Sequence, residues 1–196
     1  MKDKYNESLL YKIVRPIIKV LFLFLYSPKI IGKHNIPEKG RIILAGNHTN
    51  NFDCLLLMSS TKRCIHFLAK DELWRGLKKI IFSNMGLIPV NRRQKDHRSL
   101  EMAENYLRKE KVIGIFPEGT FSKEKGTLLP FKIGAVKMAY DTDTKIVPFA
   151  ITGTYRLFSR NLKITFGEPI SIDDSNLDEE NNKLKDSIKF LMVGDK

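Results

Sequence analysis

Short apolar runs alternate with stretches of helical spacing along most of the chain. Runs such as 41–46 and 112–116 are mostly apolar, as is typical of strands buried on both faces of a sheet. Between such runs, apolar residues recur at intervals of three and four, as at Leu100, Ala103 and Leu107, which indicates helices. This alternation predicts an α/β fold, a three-layer sandwich with a largely parallel central sheet. The predicted strands are 41–46, 64–69, 87–91, 112–116, 146–151 and 162–166, and the predicted helices are 53–60, 72–83, 99–109 and 131–140, with one more in the acidic tail 173–196.

The N-terminal segment differs, because its apolar run over 20–26 would point apolar side chains in every direction around a helix. The run is shorter than the stretch of about 20 apolar residues that spans a bilayer. Pro16 would kink one long helix but suits the first turn of a helix that begins near Ile17. Basic residues flank the run on both sides, which predicts a helix that lies in the membrane interface. The alternative is an amphipathic helix that covers the protein's own core.

The predicted organisation is therefore a membrane-associating helical segment over 1–31 and one catalytic-size domain over 32–196. The expected location is the cytoplasmic side of the cell membrane, with peripheral or monotopic attachment. We find no internal repeat, low-complexity stretch or linker that would divide the chain further.

Charge narrows the choice of partner. Lys and Arg number 34 and Asp and Glu number 22, so the formal net charge is +12. This excess predicts an anionic partner, which leaves nucleic acid, an anionic membrane surface and phosphorylated substrates. The sequence has no helix-turn-helix, RRM, KH or zinc-finger signature, which disfavours nucleic acid. The chain's two cysteines, Cys54 and Cys64, predict reduced core thiols, and no second His stands near His48 at the spacing of metal ligands.

The strongest candidate for chemistry directly follows the predicted strand 41–46, at the kind of position where open α/β sheets place their sites. It contains His48 and, five residues later, Asp53. On one continuous helix these side chains would lie about 140° apart, but they can pair across a turn that ends at a helix N-terminus. A paired carboxylate would fix the tautomer of the imidazole and stabilise the imidazolium. Alternatively, Asp53 only caps its helix and His48 is a surface residue.

Three further segments follow or contain predicted strands. One ends in two adjacent arginines, of which Arg92 is the first; guanidinium groups suit phosphate binding, although a solvated surface pair is the alternative. In the segment 116–120, Glu118 and Gly119 directly follow a buried strand, and Gly119 permits a tight turn and close approach to a ligand. A simple strand-to-loop turn is the alternative there. The last segment, 146–154, is uninformative alone.

Taken together, these four segments resemble the glycerophospholipid acyltransferase family, most closely its 1-acyl-sn-glycerol-3-phosphate acyltransferases. The resemblance is carried by Asn47-His48-x4-Asp53, 86–92, 116–120 and 146–148, in order and at similar spacing, and the stretch 130–135 adds to it. It covers roughly residues 30 to 170. It implies transfer of a fatty acyl group from acyl-CoA or acyl carrier protein to the hydroxyl of a lysophospholipid, with 1-acyl-glycerol-3-phosphate giving phosphatidic acid.

The resemblance also implies roles for individual residues. His48 would be the general base and Asp53 would orient it, while the acceptor hydroxyl attacks the thioester directly. No Ser or Cys nucleophile, no metal and no cofactor beyond the acyl donor is then expected. An unperturbed His pKa of about 6.5 suits a base that works near neutral pH. Arg92 would hold the acceptor's phosphate. The other expected substrate-binding residues are Asn47, Glu118, Gly119, Thr120 and Lys132.

One position departs from the family pattern. The third block usually continues with Arg, whereas this chain has Phe121. Either Lys123 or Lys125 takes over the contact to phosphate, or the acceptor is a different lysolipid. A non-catalytic basic protein that binds membrane surfaces is the alternative from another class, and the presence of the predicted catalytic residues and of Glu118 argues against it.

Overall fold

In the computed structural model, the described residues are 9–74, 76–91, 97–122, 126–173 and 175–194. They form alternating strands and helices. The strands are β1 (Lys29–Ile31), β2 (Ile42–Gly46), β3 (Ile65–Lys70), β4 (Ile88–Val90), β5 (Val112–Ile115), β6 (Ile146–Thr152) and β7 (Lys163–Phe166). The α-helices are α1 (Leu9–Tyr26), α2 (Asp53–Ser60), α3 (Leu77–Asn84), α4 (His97–Leu107), α5 (Gly134–Asp141) and α6 (Leu177–Val193).

One seven-stranded sheet joins all of these strands, in the order β1-β7-β6-β2-β5-β3-β4. The five strands from β6 to β4 pair with one another in parallel. β7 is antiparallel to β6, and β1 is parallel to β7, so these two run in the opposite direction. The predicted α/β fold with a largely parallel sheet is therefore confirmed.

Helices cover both faces of the sheet, which explains why the central strands are apolar throughout. In β2, Leu44 points to a cluster that includes Phe22 of α1 and Leu57 of α2. Its neighbour Ile43 points to the opposite cluster, which includes residues of α4, α5 and α6 such as Leu184. Because successive side chains of a strand alternate between faces, one strand contributes side chains to the hydrophobic clusters on both faces of the sheet. Each of these side chains is fully or almost fully buried, which contributes about 1.5–3 kcal/mol per large apolar residue.

α1 is a single helix of 18 residues with Pro16 inside it, so the predicted helix start near Ile17 is wrong. Proline removes one helical hydrogen bond and crowds the preceding turn, which normally ends or kinks a helix. The turns before Pro16 persist because tertiary contacts hold them.

Two side chains before the proline tie α1 to the neighbouring layer. The hydroxyl of Tyr11 accepts a hydrogen bond from the backbone N–H of Ile65 at 3.0 Å and donates to the carbonyl of Arg63 at 3.3 Å. Nε of Arg15 donates to the carbonyl of Thr61 at 2.7 Å. Such long-range contacts cannot be predicted from the pattern of apolar residues along the sequence.

α1 presents two different faces. Tyr11, Phe22 and Tyr26 are buried in the core, and the helix packs against α2. Among the described residues, no helix combines the length and the apolar character needed to cross a bilayer. The boundary between 31 and 32 stays a prediction, although α1 and β1 share a core and a sheet with the rest of the chain. Large apolar residues on the exposed face of α1 are Leu9, Ile13, Ile17, Val20, Leu21, Leu23 and Phe24.

Other helices and strands begin at residues that differ from the predicted ones, for local structural reasons. The strand β1 has only three residues, too few to show a periodic pattern. α3 begins at Leu77 rather than 72, because 71–73 forms a 3-10 turn and Gly76, with φ of 55°, interrupts the helical path. α5 begins at Gly134 rather than 131, and the backbone N–H of Lys132 instead donates to the carbonyl of Pro117 at 2.9 Å.

Candidate active site

The candidate site lies where the carboxyl ends of β2, β5 and β6 meet at one edge of the sheet. The turn that carries His48 follows β2, the loop that carries Glu118 follows β5, and Ile151 lies near the end of β6. Because parallel strands end at the same edge, these sequence-distant segments come together there.

His48 and Asp53 form a hydrogen-bonded pair, with 2.8 Å between Nδ1 of His48 and Oδ2 of Asp53. The chain turns between them, and the backbone N–H of Asp53 donates to the carbonyl of Asn50 at 3.1 Å as α2 begins. The pair therefore meets across a turn rather than along a helix. The Asp53 side chain is 0% exposed and that of His48 is 15% exposed, so the imidazole is the solvent-accessible member. With the proton on Nδ1, Nε2 is left as the proton acceptor.

Asp53 has further donors, and none of them is in α2. The backbone N–H groups of Thr49 and Asn50 donate to Oδ2, and the Thr49 hydroxyl donates to Oδ1 at 3.0 Å. The hydroxyl of Tyr155 donates to Oδ1 at 2.6 Å. The carboxylate therefore faces back towards His48 instead of capping its own helix. This geometry argues against the interpretation of Asp53 as a helix cap alone.

Tyr155 is a site residue that the sequence analysis missed. It directly follows the fourth segment, 146–154, but one tyrosine after a strand carries no signal of its own. Burial raises the pKa of its hydroxyl, and the nearby charge of Asp53 raises this pKa further. The group therefore stays protonated and donates to the carboxylate.

Two phenylalanine rings border the imidazole of His48. The ring of Phe116 stacks on it with centroids 4.2 Å apart and planes inclined by 16°. The ring of Phe121 stands edge-on to it at 5.6 Å and 89°. These contacts restrict rotation of the imidazole. They also place Phe121, the position that departs from the family pattern, directly beside the candidate base.

Glu118 is buried and binds two backbone groups. Its Oε1 accepts from the backbone N–H of His48 at 2.8 Å, and its Oε2 accepts from the N–H of Leu129 at 2.8 Å. The carboxylate thus links the turn after β2 to the loop after β5. A contact between Glu118 and substrate stays a prediction.

Asn47 has a comparable arrangement. Its side-chain N–H donates to the carbonyl of Ile151 at 2.9 Å, and its side-chain oxygen accepts from the N–H of Ile151 at 2.7 Å. The buried amide therefore joins the ends of β2 and β6 and fixes where the His48 turn starts. Its predicted contact with substrate also stays a prediction.

Three more of the predicted binding residues, Gly119, Thr120 and Lys132, lie at the rim of the site. Gly119 has φ of 70°, and a β-carbon there would lie 3.0–3.2 Å from the end of the Lys132 side chain. Glycine thus permits both the turn and the close approach of the lysine. Lys132 and Thr120 are exposed. Arg92 lies outside the described residues, as do Lys123 and Lys125.

The thiol of Cys54, beside Asp53 in the chain, is unsuited to nucleophilic chemistry at neutral pH. Burial and the charge of Asp53 raise the pKa of the Cys54 thiol to about 12, so it is not a thiolate at neutral pH. No disulfide joins Cys54 and Cys64. Within the described part of the chain, no three His, Cys, Asp or Glu side chains lie close enough together to hold a metal ion.

Fold and site together describe an α/β protein with a His–carboxylate pair at the carboxyl edge of its sheet. Residues 27–152 match the family described as Acyltransferase, which is more than half of the chain. The chain therefore belongs to the acyltransferase family.

Individual relatives agree with this assignment. A 1-acyl-sn-glycerol-3-phosphate acyltransferase of Borreliella burgdorferi is 37% identical over 166 residues, which cover 81% of this chain and 65% of that protein. The protein of the same name from Bacillus subtilis is 30% identical over 172 residues, which cover 82% of each chain. The crystal structure of a 1-acyl-sn-glycerophosphate acyltransferase from Thermotoga maritima superposes with a TM-score of 0.73 at 25% identity, covering 91% of this chain and 76% of that one. The chain thus spans just under two thirds of the Borreliella relative.

Proposed function

We propose that this protein transfers a fatty acyl group from a thioester donor to the free hydroxyl of 1-acyl-glycerol-3-phosphate, which gives phosphatidic acid. The observation that carries the proposal is the 2.8 Å contact between Nδ1 of His48 and Oδ2 of Asp53 at the carboxyl edge of the sheet. The names of the relatives supply the acceptor, and the site supplies a base suited to the step.

In the proposed reaction, the acceptor hydroxyl oxygen attacks the carbonyl carbon of the thioester. Nε2 of His48 takes the hydroxyl proton as the new C–O bond forms, and Asp53 stabilises the resulting imidazolium. The C–S bond then breaks, and the imidazolium returns the proton to the departing sulfur. The products are the ester and a free thiol, so no covalent intermediate on the protein is required.

The acyl donor and the acceptor's headgroup require separate contacts. Acyl-CoA and acyl carrier protein both offer a thioester, and we propose one of them as the co-substrate without a metal or further cofactor. We assign the phosphate of the acceptor to Arg92, by its position in the sequence, and to Lys132 at the exposed rim beside Gly119. Charge-assisted bonds of this kind are the strong ones in phosphate recognition.

The exposed apolar face of α1 supports membrane association. It carries large residues such as Ile17, Val20 and Phe24 in contact with solvent, and Lys12 and Lys19 lie on the same helix. Such a helix fits the boundary between headgroups and acyl chains. We therefore propose peripheral or monotopic attachment on the cytoplasmic side, with 1–31 as the membrane-associating segment and 32–196 as the acyltransferase domain.

Phe121 favours a second candidate, an acyltransferase that acts on a different lysolipid. The ring lies edge-on to His48 at 5.6 Å, where the family pattern usually has an arginine. An acceptor without a phosphate monoester would then lose less from the missing guanidinium. This candidate shares the reaction and differs only in the headgroup.

The test is thiol release by the purified full chain in mixed micelles that contain one donor, either oleoyl-CoA or oleoyl acyl carrier protein, and one acceptor at a time. Lysophosphatidic acid and lysophosphatidylcholine are compared, and the products are identified by mass spectrometry. His48→Ala should lower the rate by about two to four orders of magnitude, the usual cost of losing a general base. His34→Ala, at an exposed histidine in the short turn after β1, is the matched control and should stay active.

The outcomes separate the candidates. Faster release with lysophosphatidic acid supports the first proposal, and faster release with lysophosphatidylcholine supports the second. No acceptor-dependent release from either donor, or an undiminished rate in folded His48→Ala protein, contradicts the proposed mechanism.

A further inference from the structure

The loop over 156–160, between β6 and β7, exposes two large apolar side chains between two arginines. Leu157 is 53% exposed and Phe158 is 64% exposed. Arg156 and Arg160 on either side are also exposed. We call this stretch the Phe158 loop.

The backbone of this loop is strained. Phe158 has φ of 60° and Arg160 has φ of 56°, in the left-handed region that bulky residues disfavour. A strained backbone that holds an aromatic ring out in solvent is a reason to look for a binding role at that position.

Two contacts fix the Phe158 loop to the end of α1. The backbone N–H of Phe158 donates to the carbonyl of Leu25 at 2.7 Å. Its ring meets the ring of Phe24 edge to face, with centroids 5.9 Å apart at 89°. Because Phe24 is itself 69% exposed, the loop extends the apolar face of α1 rather than forming a separate patch.

The same loop is connected to the catalytic pair through the residue before it. Tyr155 donates to Asp53 at 2.6 Å, and its ring packs on that of Tyr26 with centroids 5.7 Å apart. The exposed apolar surface is therefore held at a fixed position relative to His48.

We propose that Leu157 and Phe158 insert into the interface of an anionic lipid bilayer, with Arg156 and Arg160 at lipid phosphates. An aromatic ring between guanidinium groups matches the boundary between acyl chains and headgroups. The chain's net charge of +12 and the continuity with α1 favour a membrane over a second copy of this strongly basic chain. The proposal rests on the membrane association proposed for α1 and adds a second contact to it.

The first experiment is co-sedimentation of the full chain with phosphatidylcholine vesicles, with and without phosphatidylglycerol. Phe158→Ser should lower the partition coefficient by about tenfold or more, because one aromatic side chain no longer leaves water. Arg156→Gln with Arg160→Gln should weaken binding more to the vesicles that contain phosphatidylglycerol than to those of phosphatidylcholine alone. Phe190→Ser is the matched control, since Phe190 is 74% exposed on α6, in the other helical layer.

The second experiment measures directly whether residue 158 lies in the bilayer, and it replaces the phenylalanine by another aromatic residue. In a Trp74→Phe background, Phe158→Trp should be quenched by brominated lipids, whereas Phe190→Trp should not. Light scattering of the wild type and of Phe158→Ser follows the oligomeric state.

Vesicle binding by the wild type that Phe158→Ser leaves unchanged, or no quenching of the tryptophan at 158, overturns the loop proposal alone. Failure of the wild type to bind anionic vesicles overturns the membrane role of both α1 and the loop. A dimer that dissociates in Phe158→Ser, without a change in vesicle binding, identifies a second copy as the occupant instead.

Discussion

Asp53 depends for its role on the donors around it. Its two oxygens accept hydrogen bonds from the Thr49 and Asn50 backbone, the Thr49 hydroxyl, His48 and Tyr155. These donors fix the carboxylate, and the carboxylate in turn orients the imidazole of His48. In the reaction proposed above, such preorganisation would lower the reorganisation needed when charge develops.

Part of this site could be predicted from the sequence. The spacing of His48 and Asp53 allowed a pair only across a turn, and the structure has that turn. Tyr155 and the stacked ring of Phe116 could not be predicted, because both reach the pair through long-range packing. The role of Glu118 was open for the same reason: its two partners lie far apart in the sequence.

Tyr155→Phe tests whether the tyrosine acts on the pair beyond filling space. Without the O–H donor, the carboxylate of Asp53 is held less firmly beside Nδ1 of His48. We therefore expect kcat to fall by about tenfold, in line with a lost hydrogen bond to a charged group, and KM to change little. The measurement is kcat and KM of the full chain. Tyr26→Phe keeps the neighbouring ring and is the control; equal kcat values for both variants would contradict a positioning role.

At the scale of elements, the sequence was most informative where strands are buried on both faces. β2, β5 and β6 lie within one or two residues of their predicted bounds, because continuous apolar runs flanked by turns leave few alternatives. The errors fall where tertiary contacts decide. Pro16 stays inside α1 because side chains on the turn before it are bonded to a neighbouring loop.

Glu118→Gln tests the link between the turn after β2 and the loop after β5. A glutamine presents one acceptor and one donor, so either the N–H of His48 or that of Leu129 faces another donor. We expect a loss of about 1–3 kcal/mol in the free energy of unfolding, together with a lower kcat. Denaturant unfolding and thiol release measure the two effects. Glu180→Gln, at a buried carboxylate on α6, is the control for stability and should leave kcat unchanged.

His66, a buried residue of strand β3, should make the free energy of unfolding depend on pH. Burial lowers its pKa from 6.5 to about 4, and its Nδ1 lies 2.9 Å from the carbonyl of Gly86. As the pH falls, His66 therefore takes up a proton at a higher pH in the unfolded chain than in the folded one. The free energy of unfolding is highest above pH 6.5 and should fall by about 2–4 kcal/mol as pH drops to about 4. His66→Phe should flatten this decline relative to the exposed control His97→Gln, and an unchanged slope would contradict the assignment.

At the scale of the whole molecule, α1 belongs to the fold and also carries the proposed membrane face. Three buried aromatic residues join it to the core, each worth about 1.5–3 kcal/mol, against a typical net stability of about 5–15 kcal/mol. Removing the helix would therefore confuse loss of membrane binding with loss of the fold. Substitutions on its outer face separate the two.

Ile13→Ser combined with Ile17→Ser makes this separation, because both side chains are more than half exposed and about one turn apart on the helix. Substitutions at such largely exposed positions usually change the free energy of unfolding by no more than about 0.5 kcal/mol each, so the melting temperature should change little. Binding to anionic vesicles should fall by about tenfold or more, since each isoleucine no longer transfers its apolar surface out of water. Turnover of a short-chain, monomeric acceptor should persist while turnover of the vesicle-bound acceptor drops, because only the latter requires the protein to be at the surface. Equal loss on both acceptors would mean that the face of α1 supports the catalytic pair rather than the membrane contact.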